Sequence, residues 1–154
     1  YHLPLDAHPT LGNNAGLAKA VGWAQTGVFG EQGLGCLGTP PGGATVASVA
    51  ADLEKALGRP PFVLAESMGQ PIRRIAWCTV GAQSYFEAAI QAGADAFVTG
   101  EVSEPMVHLA RETGVAYMAA GHHATERFGV QALGQAMADR FGIRMCYLEV
   151  DSPV

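Results

Sequence analysis

The segment Ala120-Gly121-His122-His123-Ala124-Thr125-Glu126-Arg127 concentrates more potential chemistry than the rest of the chain. His122 and Glu126 are four positions apart, so on a helix they share one face. An imidazole and a carboxylate converging from one turn form either a metal-ligand pair or an acid/base pair. Asp6, set between His2 and His8, adds a carboxylate from the other end of the sequence. Residues 1–8 read as a strand end running into a loop, either facing water or contributing ligands.

The elements that must position these groups follow from hydrophobic spacing. Asn13 or Asn14 is expected to cap a helix that runs to about Trp23, with Leu17, Ala18 and Val21 as its apolar stripe. Residues 28–30 and 34–37 suggest strands around a turn. Thr45 suits the cap of a helix whose face carries Val46, Val49, Ala50, Leu53 and Leu57, with Gly58 and Pro60-Pro61 as its stop. Strands are expected at 62–65, 72–79, 96–99, 115–119 and 143–148. Helices are expected at 84–91 and 104–112, and from His122 to about Arg140. The last of these should bury Val130, Leu133, Met137 and Phe141.

This alternation predicts one α/β unit over residues 1–154, a mainly parallel or mixed sheet covered by helices. Ligands of such sheets gather beyond the C-terminal ends of the strands. Three polar clusters fall at such ends, 81–84, 99–103 and 121–123, and are expected to share one rim. Ser84, Ser103 and Thr125 there suit helix capping, which leaves His122, His123 and Glu126 unaccounted for. Gly33-Leu34-Gly35-Cys36-Leu37-Gly38 matches a dinucleotide fingerprint in letters only. Thr39-Pro40-Pro41 follows it, where that motif requires a helix.

Composition narrows the classes. The chain has 154 residues, 49% hydrophobic and 15% charged, enough for one packed core. A net charge of −5 without a dense Lys/Arg cluster argues against nucleic-acid binding. No run approaches the ~18 apolar residues of a membrane span. Three well-separated cysteines, Cys36, Cys78 and Cys146, point to core filling in a reducing compartment, hence a cytoplasmic protein. The start at Tyr1-His2-Leu3-Pro4, strand-like and without Met, suggests a piece of something longer.

The 121–127 motif, taken with Thr99-Gly100-Glu101-Val102-Ser103 and His2-Leu3-Pro4-Leu5-Asp6-Ala7-His8, closely resembles the Nif-three-like family of dinuclear-metal proteins, often labelled GTP cyclohydrolase 1 type 2 homologues. The resemblance spans essentially the whole chain. It implies a Nif-three-like fold and two divalent metal ions, with Asp6, His122 and Glu126 as ligands. His2, Glu101 and His123 would lie near the metals. It also implies an adjacent His pair that does not precede Asp6 here, so this chain corresponds to a C-terminal portion with an incomplete site. Family members resemble ring-shaped homo-oligomers, which implies self-association, with a hexamer expected.

The donor chemistry agrees. Nitrogen and oxygen donors suit Zn, Mn or Fe(II). Two such ions ~3.5–4 Å apart activate water for hydrolysis of a ring C–N, ester or phosphate bond. The leading expectation is therefore a metal-dependent hydrolase of a small molecule, with Glu126 and His122 as catalytic residues. A metal-stabilised oligomeric scaffold or regulatory protein is the alternative. A third reading is a structural α/β module in which His122 and Glu126 simply hydrogen-bond to each other.

Overall fold

Residues 3–150 and 152 are described by a computed structural model. The elements, in chain order, are α1 (Asn13–Val21), β1 (Ala24–Phe29), β2 (Gly35–Thr39), α2 (Val46–Leu57), β3 (Phe62–Leu64), β4 (Ile75–Cys78), α3 (Phe86–Gln91), β5 (Ala96–Thr99), α4 (Glu104–Thr113), β6 (Ala116–Ala119) and α5 (His122–Phe141). The strands form a six-stranded sheet in the order β1-β2-β4-β5-β6-β3. Only the central β4, β5 and β6 run parallel, and the other pairings are antiparallel. The sheet is thus mixed.

Strand alternation sorts the core into two faces. Ile75, Trp77, Val98 and Met118 point to the side holding Leu17 of α1 and Val46, Val49 and Leu53 of α2. Ala76, Cys78, Phe97 and Tyr117 point to the opposite side, against Phe86 of α3 and Ala110 of α4. Both faces are covered, which is why these strands read as continuous apolar runs. The α2 start is locally encoded. Thr45 accepts the Ser48 N–H at 3.3 Å while Ser48 accepts the Thr45 N–H at 2.9 Å, a reciprocal capping box.

Several expectations fail. Residues 3–10 contain no strand, with turns at 6–7 and 9–10, and residues 1 and 2 of the expected strand end lie outside the described residues. Asn13 and Asn14 do not cap α1. Gly12 takes the cap position, and both asparagines are buried inside the first turn with long-range partners. The helix ends at Gly22, which adopts a left-handed φ of 75°, so Trp23 lies outside it. Ser84 falls in a short 3-10 turn, Ser103 stands at the α4 cap position without a side-chain bond, and Thr125 lies inside α5.

The stripe expected on α5 is also wrong. Ala124, Thr125 and Gly129 are buried, while Val130, Met137 and Phe141 are exposed. The helix packs on α1 with Gly16 against Phe128 and Gly129 against Asn13, so Phe128 faces inward, Leu133 is half-buried, and Val130, Met137 and Phe141 face outward. Finally, 143–148 does not enter the sheet. The segment runs back along α5, with Met145 over Gly134 and Glu149 reaching His123 and Arg127. Its alternating pattern is satisfied by Met145 and Tyr147, which are half-buried there.

Candidate functional site

The three expected polar clusters do share one rim, because β4, β5 and β6 are parallel neighbours. Their C-terminal loops are stitched together. The Gly100 N–H donates to the Val80 carbonyl at 2.8 Å, and the Gly121 N–H donates to the Gly100 carbonyl at 2.9 Å. Thr99 Oγ1 adds a bond to the same Val80 carbonyl at 2.9 Å. Val80 is held at φ 84°, an unfavourable conformation for a β-branched residue that the surrounding bonds maintain.

Close approach at this rim requires glycine. A Cβ on Gly100 would come within 2.7 Å of His122 Cα, and one on Gly81 within 2.9 Å of the Glu101 carboxylate. These two glycines seat the imidazole-bearing residue and the carboxylate that touches it.

His122 opens α5 between two carboxylates. Its Nδ1 lies 2.6 Å from Glu101 Oε1, and its Nε2 lies 3.2 Å from Glu126 Oε1. Burial disfavours the charged imidazole, but the Glu101 hydrogen bond and the charge of Glu126 outweigh it and raise the His122 pKa above the ordinary value. Glu101 shifts the other way, lowered chiefly by its hydrogen bond with His122. Gln83 Nε2 also donates to Glu101 at 3.3 Å, and the buried Tyr117 hydroxyl holds the Glu101 backbone carbonyl at 2.5 Å. A carboxylate that orients one ring nitrogen and leaves the other toward a further donor is the usual support of a metal-bound imidazole.

Asp6 arrives by a different route. Its Oδ1 accepts from Asn13 Nδ2 at 2.7 Å, and Asn13 Oδ1 accepts the Gly129 N–H of α5 at 2.6 Å. Asp6 is therefore tethered to α5 one turn beyond Glu126. Its charge also contributes, after burial and Cys36, to raising the Cys78 pKa at the end of β4. The tethers do not bring Asp6 into hydrogen-bond contact with His122 or Glu126 among the described residues.

The remaining candidates separate. His8 Nδ1 accepts the backbone N–H groups of Thr10 and Leu11 at 3.3 and 3.1 Å, a turn-forming role. His123 turns away from His122 to Glu149, 3.0 Å off. His2 lies outside the described residues. Among the described residues, no group of three or more His, Cys, Asp or Glu side chains is arranged to hold a metal ion. Glu101 and His122 instead form a hydrogen-bonded pair, with Glu126 an ion-pair contact on the other side of the ring. The pair opens into a cavity of about 440 Å³ bordered by Arg59, Phe62, Glu101, Val102 and His122.

The Duf34/NIF3 (NGG1p interacting factor 3) sequence profile matches residues 1–153. The chain belongs to the Duf34/NIF3 family. A Neisseria meningitidis serogroup A protein called "GTP cyclohydrolase 1 type 2 homolog" is 50% identical over 153 residues, covering 99% of this chain and 61% of that protein. A Pseudomonas aeruginosa protein of the same name is 50% identical over 160 residues, with 99% and 61% coverage. The solved structure titled "Structural genomics, protein ybgI, unknown function" superposes with a TM-score of 0.92 at 40% identity, covering 100% of this chain and 62% of that one. The Thermus thermophilus protein TTHA1606 gives 0.80 at 28% identity, with 99% and 60% coverage. The chain thus spans about three fifths of the length of these Duf34/NIF3 relatives.

Sequence reasoning misses two residues that bear on this Duf34/NIF3 site. Asn13 reads only as a cap, yet it ties Asp6 to α5. Two consecutive asparagines at a helix start, where one cap suffices, are the available signal. Arg59 reads only as a residue within the stop of α2. Its position directly before Pro60-Pro61, which fix the chain's direction, is the signal there.

Proposed function

We propose that this chain supplies the Asp6, His122 and Glu126 part of a dinuclear metal site in a cytoplasmic, metal-dependent hydrolase. The observation that carries the reading is His122 bracketed at 2.6 and 3.2 Å by Glu101 and Glu126 on a sheet rim. The donors are hard oxygen and nitrogen atoms, which fits Zn, Mn or Fe(II). His122 Nε2 and the Glu126 carboxylate would serve as ligands from one turn of α5, with Asp6 as the third. The other donors would come from the part of a full-length relative that this chain does not match. Bound divalent ions would supply Lewis acidity and lower the pKa of water.

The chain's own groups do the rest. Glu101 fixes the ring of His122, and Asn13 fixes Asp6. In the metal-free state His122 faces a carboxylate at each ring nitrogen, and a metal binding at Nε2 would take the place of any proton held there. Glu126 and His122 would contribute to hydrolysis by holding and orienting the ions, since their ligating atoms are then not free to carry protons. The bond cleaved is a ring C–N, ester or phosphate bond of a small molecule. Among the described residues, no helix is long and apolar enough to cross a membrane.

A scaffold or regulatory role is favoured by a different observation. Val130, Met137, Phe141, Leu148 and Val150 expose apolar side chains on α5 and the segment that follows it. Such surface is normally covered, and a ring-shaped homo-oligomer such as a hexamer would cover it.

The test uses the full-length protein containing this chain. Metal analysis should find two divalent ions per subunit, and metal addition to the metal-free protein should release protons. Glu126→Gln should abolish hydrolysis across a panel of nucleotides, esters and phosphoesters. Activity unchanged by that substitution defeats the hydrolase reading. Loss of assembly or thermal stability alone supports the scaffold.

A further inference from the structure

The antiparallel register of β3 and β6 pairs Phe62 with Ala119 and Leu64 with Tyr117. Beyond the end of that ladder, Arg59 and His122 border one cavity. Two consecutive prolines follow Arg59 and prevent the chain from turning away. The guanidinium is seated on the backbone of Gly121, where a Cβ would stand 2.9 Å from an Nη atom and 3.2 Å from Cζ. Gly121 has φ 98°, so it is glycine for two reasons: the turn into α5 and the seat for Arg59. Among the described residues, the ion pairs at this rim are made by Glu101, Glu126 and Glu149 with His122, His123 and Arg127, and none of them uses Arg59.

Arg59 lies on the wall shared by two cavities. One, of about 440 Å³, contains Glu101 and His122, and the other, of about 550 Å³, contains His123 and Arg127. The first has an apolar side as well: Phe62 is 52% exposed and Val102 is 40% exposed. An exposed aromatic ring, a guanidinium and a proton-handling imidazole thus border one space. A guanidinium fork matches the oxygen pair of a phosphate or carboxylate, and an aromatic face suits a flat apolar body.

We propose that Arg59 is the anion anchor of the substrate cavity, and that the substrate is a small organic anion. It would carry a phosphate or carboxylate group on Arg59, with a flat apolar portion against Phe62 and Val102. This inference rests on the reading of the His122 cluster as the reactive centre. It specifies which class of molecule that centre meets.

The test is binding of phenyl phosphate, benzoate and neutral phenol to the full-length protein, metal-loaded and metal-free, followed by calorimetry or ligand-observed NMR. Arg59→Gln should weaken the two anions at least tenfold in both states and leave phenol unchanged. Arg59→Lys should restore part of the affinity. The preference between phenyl phosphate and benzoate assigns the anionic group. Thermal melts of both variants should match the parent protein, since Arg59 is only partly buried. Equal anion affinity in parent and Arg59→Gln overturns the proposal, as does an equal loss for phenol. Arg59-dependent binding in a protein whose activity across the nucleotide, ester and phosphoester panel is unchanged by Glu126→Gln removes the hydrolase reading and leaves the anion site standing.

Discussion

Asn13 Oδ1 accepts the Gly129 N–H at 2.6 Å across 116 residues of sequence. The other end of the same amide donates to Asp6 at 2.7 Å. One side chain therefore fixes the distance between the N-terminal carboxylate and the helix that carries His122 and Glu126. Removing it leaves the Asp6 carboxylate without its orienting donor. Supports of this kind are worth about 10–100-fold in metal affinity. Asn13→Ala in the full-length protein is expected to weaken divalent-metal binding by roughly that factor, measured by chelator competition. Unchanged affinity in a folded variant would remove Asp6 from the ligand set.

The Glu101–His122 pair makes metal-free stability depend on pH in both directions. His122 is raised above its ordinary 6.5, so its contribution is fully present below that value and is lost as pH rises through the folded pKa. Glu101 is lowered below 4.5, so its contribution is present above that value and is lost as pH falls through the folded pKa. The pair stabilises most between these limits. Glu101→Gln is expected to lower Tm most between about pH 5 and 6, and to converge with the parent protein at both extremes. A uniform Tm difference from pH 3 to 9 would show that the pair is not the cause.

The parts of the fold visible in sequence are those with local causes. The α2 stripe, its Thr45 cap and the Gly58 stop are all carried by neighbouring residues, and all appear in the structure. So do the β5 and β6 runs and the shared rim that follows from them. What was hidden depends on partners far away. Asn14 looks like a cap. Instead its Nδ2 donates to the Leu34 carbonyl at 2.9 Å, and its Oδ1 accepts the Thr79 N–H at 2.8 Å. The large apolar residues of α5 suggest its buried face, but Gly16 and Gly129 set the contact with α1. His122 and Glu126 were legible from spacing alone. Glu101 is placed near the site by the 99–103 rim cluster and by resemblance, and its bond to His122 shows only in the structure. The outlying His123 carried no local sign of turning to Glu149.

Gly16 makes a stability prediction from that contact. A Cβ there would lie 2.5 Å from Phe128 Cβ, closer than side chains tolerate. The two helices must then separate or Phe128 must leave its place beside the core. Gly16→Ala is expected to destabilise by about 1–3 kcal/mol, the usual cost of overpacking. Denaturant titration reads this, and a midpoint at or above that of the parent protein contradicts the packing.

The cysteines should differ sharply in reactivity. Burial pushes the Cys36 thiol up to about 11. Burial, with added repulsion from Cys36 and Asp6, pushes Cys78 up to about 12. Neither forms thiolate near neutrality, whereas Cys146 is exposed. A thiol reagent at pH 8 is expected to modify one cysteine per folded chain quickly and all three only in denaturant. Fast labelling of Cys36 or Cys78 in the folded state would place β2 or the β4 end in solvent.

The outward apolar row on α5 makes the last prediction. Val130, Met137 and Phe141 are 47%, 43% and 67% exposed, and they recur at helical spacing on one face. Leu148 and Val150, 79% and 72% exposed, extend the apolar surface along the segment that lies on α5. Water contact with this much apolar area is unfavourable by about 25 cal/mol per Å², so a free chain lowers its energy by covering it. The isolated chain is therefore expected to self-associate in sedimentation velocity. Replacing Val130 and Phe141 together by Glu should shift it toward monomer without lowering helix content, because neither side chain is in the core. If the double variant sediments like the parent chain, association runs through another surface, and the α5 face loses its role in assembly.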